Sequence, residues 1–336
     1  PYLQRREEQR QHPKRDVSGT YPALAAALKR TLGIPIFQEQ AMQIAVIAAG
    51  FSPGESDALR RSMAAWRRKG GVEKFEERLK LGMKARGYPE SFADQVFEQM
   101  KGFGSYGFPE SHAASFAILV YFSAWIKRHY PAVFLASLIN SQPLGFYSPS
   151  QLVQDAKRHG VEVRPPDVSH SEYDCTLESA HTGALVVRLG LRLVSGLSAS
   201  AIQRLVQARQ QCPFTHTEDL ALRAQLEQSD VRALAAADAL LSLAGHRRQQ
   251  VWDSSALHRA PQLLREAPVN ETPLQLPQAP EGEEIVFDYA SLGLTLRRHP
   301  LALLRPQLAS QRLVTAQELA TYPNGRLARA CGIVTV

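Results

Sequence analysis

Cysteine is scarce: Cys175, Cys212 and Cys331 are the only three in 336 residues. They stand far apart with no C-x-x-C spacing, which excludes a zinc ribbon or a disulfide framework and suits a reducing cytoplasm. Long apolar runs are also missing. The richest stretch, Ala113 to Trp125, is broken by Ser115 and Ser123 and is too short to span a bilayer. No signal-peptide pattern is visible, so no membrane partner is expected. No Asp-x-Asp, no G-x-x-x-x-G-K-[ST], no G-x-S-x-G and no His/Cys cluster with metal-ligand spacing occurs. His112 has no nucleophile partner nearby in sequence. The chain offers parts that could hold phosphates, but no set of groups for chemistry on them.

What is present reads as a folded protein, 44% hydrophobic and 21% charged. The formal charge of +7 permits a polyanionic partner without requiring one. The length allows two or three domains. Residues 1–20 are polar and basic and read as a loosely packed lead-in. From Tyr21 to about Asn140 the pattern is helical. Helices are predicted over Ala23–Leu32, Gln38–Ala49 (with Met42, Ala45 and Val46 on one side), Pro53–Lys69, Glu73–Arg86, Pro89–Lys101 and Glu110–His129, resuming after Pro131. Ser52 and Glu55 form a capping box at the start of the third. A capped helix over Ser148–His159 precedes an extended stretch, Val161–Pro166, and a strand from Ala184. Small helices return from Ser198 to about Arg248. Five prolines between Arg259 and Glu284 mark a linker. Tyr289–Leu304 reads as a short ordered segment, and the alternation from Arg326 to Val336 reads as strand.

Three constellations could carry function. In LRRSMAAWRRKGG, Leu59, Met63 and Trp66 share a narrow sector at 100° per residue. Arg60, Arg61, Arg67 and Arg68 would then project as a basic ridge. Arginine suits phosphate because its planar fork donates two hydrogen bonds at once. The alternative is a solvated face, partly neutralised by Glu73, Glu76 and Glu77. The second constellation is the glycine-rich Lys101–His112, which leads into a helix whose first turn holds Ser111 and His112. It could bind an anion or simply let two helices pack closely. The third, Gly190 to Arg209, fits a helix-hairpin-helix element that would offer backbone amides to a DNA phosphate. Ser198 stands where such a hairpin usually has its second glycine. A plain helical turn fits the same pattern.

Several stretches together resemble the bacterial C-family DNA polymerases, the alpha subunits of polymerase III. They are Phe37–Ala45 (FQEQAMQIA), Leu59–Met63 (LRRSM), Gly104–Ala117 (GSYGFPESHAASFA), Trp125–Ala132 (WIKRHYPA) and Leu292–Pro300 (LGLTLRRHP). Asn140–Ala156 (NSQPLGFYSPSQLVQDA) is most similar to the error-prone, damage-inducible paralogue. The resemblance implies a mainly α chain that begins after the palm. A helical fingers domain (21–165) would follow the lead-in (1–20). A tandem helix-hairpin-helix DNA-binding domain with a little β (166–258), a Pro-rich linker (259–288) and the truncated start of an OB-fold β-barrel (289–336) would come next. The family's metal-binding aspartates belong to the palm, so Mg2+ is expected for the full-length enzyme and none in this fragment. The resemblance assigns Arg60, Arg61, Ser111, His112 and Lys127 to the triphosphate of an incoming dNTP. The hairpin residues Gly196, Leu197, Ser198 and Ala199 are expected to contact duplex DNA. For Arg67 and Arg68, which the resemblance does not assign, both tracking the DNA backbone and facing water stay open. It also implies a template-primer, a sliding clamp and damage-response accessory proteins as partners, a bacterial cytoplasmic location, and no polymerisation by the fragment alone. Three alternatives stay open: a non-enzymatic DNA-binding module, a helical protein-interaction scaffold, and the corresponding part of the replicative alpha subunit.

Overall fold

The computed structural model describes residues 2–13, 21–69, 73–102, 108–180, 182–256 and 274–333, without the side chains of residues 64–69. The chain divides into two compact units, Pro1–Phe122 and Ser123–Val336.

The first unit is helical: α1 (Tyr2–Gln11), α2 (Pro22–Leu28), α3 (Gln38–Ala49), α4 (Pro53–Lys69), α5 (Glu76–Ala85), α6 (Glu90–Gly102) and the first part of α7 (Glu110–His129). α3 is the hub, with α2, α4 and α5 packed on it. Its buried stripe is Ala41, Ile44, Ala45, Ala48 and Ala49. Val46, expected on that side, is 39% exposed, because the stripe turns toward the small alanines that admit neighbouring backbones. The approach of α5 is so close that a Cβ on Gly82 would lie 2.1 Å from the Ala49 carbonyl oxygen. Leu59, Met63, Leu79, Met83, Phe97 and Met100 fill the core around this contact. Gln40 sits inside it fully bonded, donating to Ala27 O at 3.1 Å and Thr31 Oγ1 at 2.7 Å while accepting from Ile36 and Phe37.

Two expectations change here. Residues 2–11 form a helix rather than a loose lead-in. α1 buries nothing, but Gln4–Glu8 and Gln11–Glu7 pairs support it, and Arg5 donates to Leu32 O at 2.8 Å. The helix predicted over Ala23–Leu32 stops at Leu28 and tightens into a 3-10 turn over Lys29–Thr31, ending where Leu32 takes φ +56.

The second unit takes the rest of α7, then α8 (Pro131–Asn140) and α9 (Pro149–Arg158). A three-stranded sheet follows, formed by β1 (Val163–Arg164), β2 (Thr176–Ser179) and β3 (Leu185–Arg188) in the order β1-β3-β2. β1 runs parallel to β3 with Val163 opposite Val187, and β2 runs antiparallel with Leu177 opposite Val187. α8, α9 and β3 share a core of Leu135, Ile139, Val153, Val187 and Leu189. A second core gathers Leu191, Ile202, Leu205, Leu220, Leu234 and Leu240. It lies among α10 (Ala199–Gln211), α11 (Thr217–Arg223), α12 (Gln228–Ala236), α13 (Leu241–Ala244) and α14 (Arg247–Ala256). α15 (Glu281–Leu292), α16 (Pro300–Ser310) and α17 (Ala316–Leu319) complete the described residues.

α15 begins inside the stretch expected as linker, since residues 281–292 carry no proline and bury Glu284, Ile285 and Asp288. The fold is mainly α with a little β. The terminal alternation yields one β-bridge, Val314 to Ala330, in keeping with the opening of an OB-fold that shows little strand.

Candidate functional site

α4 is held at its start by reciprocal bonds: Ser52 N donates to Glu55 Oε2 at 2.7 Å, and Glu55 N donates to Ser52 Oγ at 3.2 Å. Those bonds from Ser52 pull the Glu55 carboxyl below the usual glutamate range. Leu59 and Met63 are each 1% exposed, so the apolar stripe docks the helix as its spacing predicts. Arg60 and Arg61 then converge on one carboxylate. Asp57 Oδ1 accepts from Arg60 Nε at 2.9 Å, and Asp57 Oδ2 is 3.2 Å from Arg61 Nη2. The Arg61 side chain is 69% exposed, and that of Arg60 is 36% exposed. One carboxylate cannot neutralise two guanidiniums, so the pair is gathered and keeps net positive charge facing solvent. The side chains of Trp66, Arg67 and Arg68 lie outside the described residues.

Ser111 and His112 occupy the first turn of α7, both exposed. The start of that helix is tied to α3 through Glu110 N, which donates to Glu39 Oε2 at 2.9 Å, and to Arg30, which donates to Glu110 at 3.0 Å. The His112 ring lies 5.8 Å from Phe108 and 4.4 Å from Phe116. Residues 103–107 of the glycine-rich stretch are outside the description. α7 has no buried residue, although Phe116, Leu119, Tyr121, Phe122 and Trp125 lie along it. Lys127 stands near its far end in the second unit, 2.7 Å from Asp155 on α9, and the ammonium holds that carboxyl below its ordinary range. The arrangement therefore joins Arg60 with Arg61 and Ser111 with His112, while Lys127 belongs to a separate ion pair.

The third constellation forms a hairpin. A 3-10 turn over Leu191–Leu193 leads through Val194 to Gly196, whose φ of +82 favours glycine. Ser198 needs no glycine, because it is extended at φ -77 and ψ 150 and caps α10, its hydroxyl accepting from Ala201 N at 3.1 Å. The departure from the usual pair thus adds a helix cap. Gly196, Ser198 and Ala199 are exposed, and Leu197 is half-buried. A partner loop, unread in the sequence, joins α12 to α13. Asp238 takes φ +58 there, and its carboxylate is bound by Gln250 Nε2 at 2.7 Å and Arg297 Nη2 at 2.9 Å. Its only sequence signal is an aspartate among alanines, a residue that tolerates the left-handed region.

Behind the hairpins lies an ionic network that pattern reading missed altogether. Arg247, 3% exposed, reaches the Glu284 carboxylate at 2.8 Å and also pairs with Asp288. Arg297 reaches Glu284 at 3.1 Å and Asp288 at 3.3 Å, and Thr295 Oγ1 donates to Asp288 at 2.6 Å. Burial pushes the Asp238 and Glu284 carboxyls upward. α15 also supplies Ser291 O as acceptor for Ser195 N at 2.8 Å, so this helix braces the first hairpin as well. Among the described residues no group of three or more His, Cys, Asp or Glu side chains could hold a metal ion. None of their helices is long and apolar enough to cross a membrane.

Residues 1–87 match the bacterial DNA polymerase III alpha subunit finger domain, and residues 160–250 match a helix-hairpin-helix motif. Across all of its length the chain is 58% identical to the error-prone DNA polymerase of Bordetella parapertussis, covering 32% of that protein. It is 53% identical over 99% of its length to that of Alkalilimnicola ehrlichii and 54% identical over all of it to that of Burkholderia pseudomallei, in each case covering 32% of the relative. The chain therefore spans about a third of the length of these curated relatives. These matches agree with the resemblance drawn from the motifs: residues 1–87 are similar to a polymerase III alpha finger domain and residues 160–250 to a helix-hairpin-helix motif.

Proposed function

We propose that this chain is the nucleotide-gripping and duplex-holding part of an error-prone DNA-directed DNA polymerase. The observation that carries the reading is the convergence of Arg60 and Arg61 on Asp57 within the finger-matched segment. Two gathered, solvent-facing guanidiniums with one counter-charge form a preorganised cradle for a triphosphate, because each can donate two parallel bonds to phosphate oxygens. As pyrophosphate leaves, charge builds on those oxygens, and fixed cations there lower the barrier without reorganising. Ser111 and His112, at the start of α7, would add donors to the same anion. Lys127, which the resemblance carries over with them, is engaged by Asp155.

The hairpin at Gly196–Ala199 is the proposed duplex contact, offering backbone amides to phosphate without reading sequence. Arg67 and Arg68 are assigned to the DNA backbone. The longer protein would use Mg2+, a template-primer, dNTPs, a sliding clamp and damage-response partners in the bacterial cytoplasm. Among the described residues no group of three or more His, Cys, Asp or Glu side chains could hold that metal. The chain by itself is expected not to extend a primer.

The test is single-nucleotide incorporation by the full-length enzyme. Arg60→Ala and Arg61→Ala should each lower kcat/KM for dNTP about 10- to 100-fold, as expected for lost charge-assisted bonds to a phosphate. Unchanged kinetics in both variants would overturn the assignment. A DNA-holding module with no role in nucleotide use would instead lose duplex affinity with salt and ignore both substitutions.

A further inference from the structure

The segment between α8 and α9 ends in an aromatic tip that nothing in its unit covers. Phe146 is 91% exposed and Tyr147 62%. Residues 141–148, Ser-Gln-Pro-Leu-Gly-Phe-Tyr-Ser, carry no charge. Both stems are nonetheless fixed. The Asn140 side chain bonds Cys175 in both directions, at 2.8 and 2.9 Å. Gln142 donates to Tyr147 O at 3.0 Å and accepts from Leu144 N at 2.7 Å. Ser148 and Gln151 close the far side with a capping box at 3.0 and 3.3 Å. A loop tied at this many points holds its aromatic ring in water at an entropic cost, which is useful when the ring has a partner to meet.

Arg192 indicates the partner. Its guanidinium donates to Asn140 O at 2.8 Å and Gln142 O at 3.1 Å, pairs with Asp174 at 2.8 Å, and lies 5.6 Å from the half-exposed Tyr173 ring. The same residue sits on the turn that enters the hairpin, four residues before Gly196. Four residues reach about 14 Å on either side of it, so aromatic tip and hairpin fall within roughly one turn of a duplex, about 34–36 Å. An arginine on the turn that enters the hairpin thus holds the near stem of the aromatic loop.

We propose that Phe146, flanked by Tyr147, is a stacking contact for a DNA base at the junction of duplex and single strand. The inference rests on the DNA-binding reading of the hairpin. With no cation in the loop, the contact is to the face of a base and not to phosphate.

The test uses this chain and a fluorescent primer-template with 2-aminopurine at the first unpaired template position. Phe146→Ala should weaken binding about 5- to 100-fold, the loss of one stacked base. It should abolish quenching of the 2-aminopurine and leave the salt dependence and the thermal midpoint unchanged. Phe146→Trp should restore affinity and quenching. Gly196→Val, by contrast, should weaken binding and flatten the salt slope. Parent-like affinity or intact quenching in Phe146→Ala, with Gly196→Val still impaired, would overturn the stacking contact alone and point to a protein surface over the loop. A changed salt slope in Phe146→Ala would also count against it. Absence of DNA binding by the parent chain would overturn the hairpin reading and this inference together.

Discussion

Both units contain adjacent arginines, and the molecule uses them in opposite ways. On α4, Arg60 and Arg61 share the single carboxylate of Asp57 and stay open to solvent. In the second unit each doublet is split. Arg247 is buried against Glu284 and Asp288 while Arg248 pairs with Glu283 at the surface. Arg297 faces three carboxylates while Arg298 pairs with Glu281 alone. Cations outnumbered by buried acids hold the fold. Cations that outnumber one exposed acid keep net charge toward solvent. Acids per guanidinium, together with burial, separate the two roles.

The largest effect should come from breaking the buried side of this contrast. Arg247→Ala leaves Glu284 and Asp288 without their main counter-charge and should cost about 3–5 kcal/mol in urea unfolding. A loss below 1 kcal/mol would show that the network adjusts or takes up protons, and the contrast would weaken.

Next in size is Glu178→Gln, which removes the partner of Arg188 and Arg164 on neighbouring strands. About 2 kcal/mol should be lost near neutral pH. The Arg188 bond holds the Glu178 carboxyl below its ordinary value. Its contribution is therefore complete above the ordinary glutamate range and disappears as pH falls through the lowered folded value. The variant should lack that part of the acid-side decline. Asp238 and Glu284 have the opposite sign. Burial raises them, so the folded state binds protons more tightly than the unfolded chain, and their contribution declines as pH rises through the raised values. Stability curves of Glu178→Gln and Glu284→Gln that bend the same way would contradict this division.

Ser198→Ala should cost about 1 kcal/mol by removing the α10 cap, read as a lowered thermal midpoint. Ser198→Gly should cost only a few tenths, since its backbone conformation is already extended. The smallest stability effect is expected for Arg60→Ala, about 0–0.5 kcal/mol, as for other exposed pairs. Paired with a large kinetic defect in the full-length enzyme, that near-silence is the sharpest form of the comparison.

Much of the first unit was readable because its helices carry local signals. The Ser52–Glu55 box and the Leu59–Met63 spacing set α4 and its docked face by interactions within one or two turns. The hairpin was readable at Gly196 for the same reason, a positive φ that favours glycine. α1 was missed because it buries nothing and shows no apolar stripe. β2 was missed because Thr-Leu-Glu-Ser lacks the β-branched apolar run that marks β3. The loop at Asp238 was missed because its partner, Arg297, lies 59 residues further on.

The sequence alone determined where most helices start, which residues dock α4, and that Arg60 and Arg61 lie off its docked stripe. Those outcomes depend on periodicity and caps, which act over a few residues. Asp57, three and four residues before that pair, gathers it within α4, and Ser198 caps α10 from its own first turn, so both contacts are local. Only the tertiary structure decided that Lys127 is engaged by Asp155. It also decided that Arg247 and Arg297 are structural and that Arg192 joins an aromatic loop to the hairpin. Charge does not reveal its partner in one dimension. Burial and the acid that chain folding brings beside each arginine do.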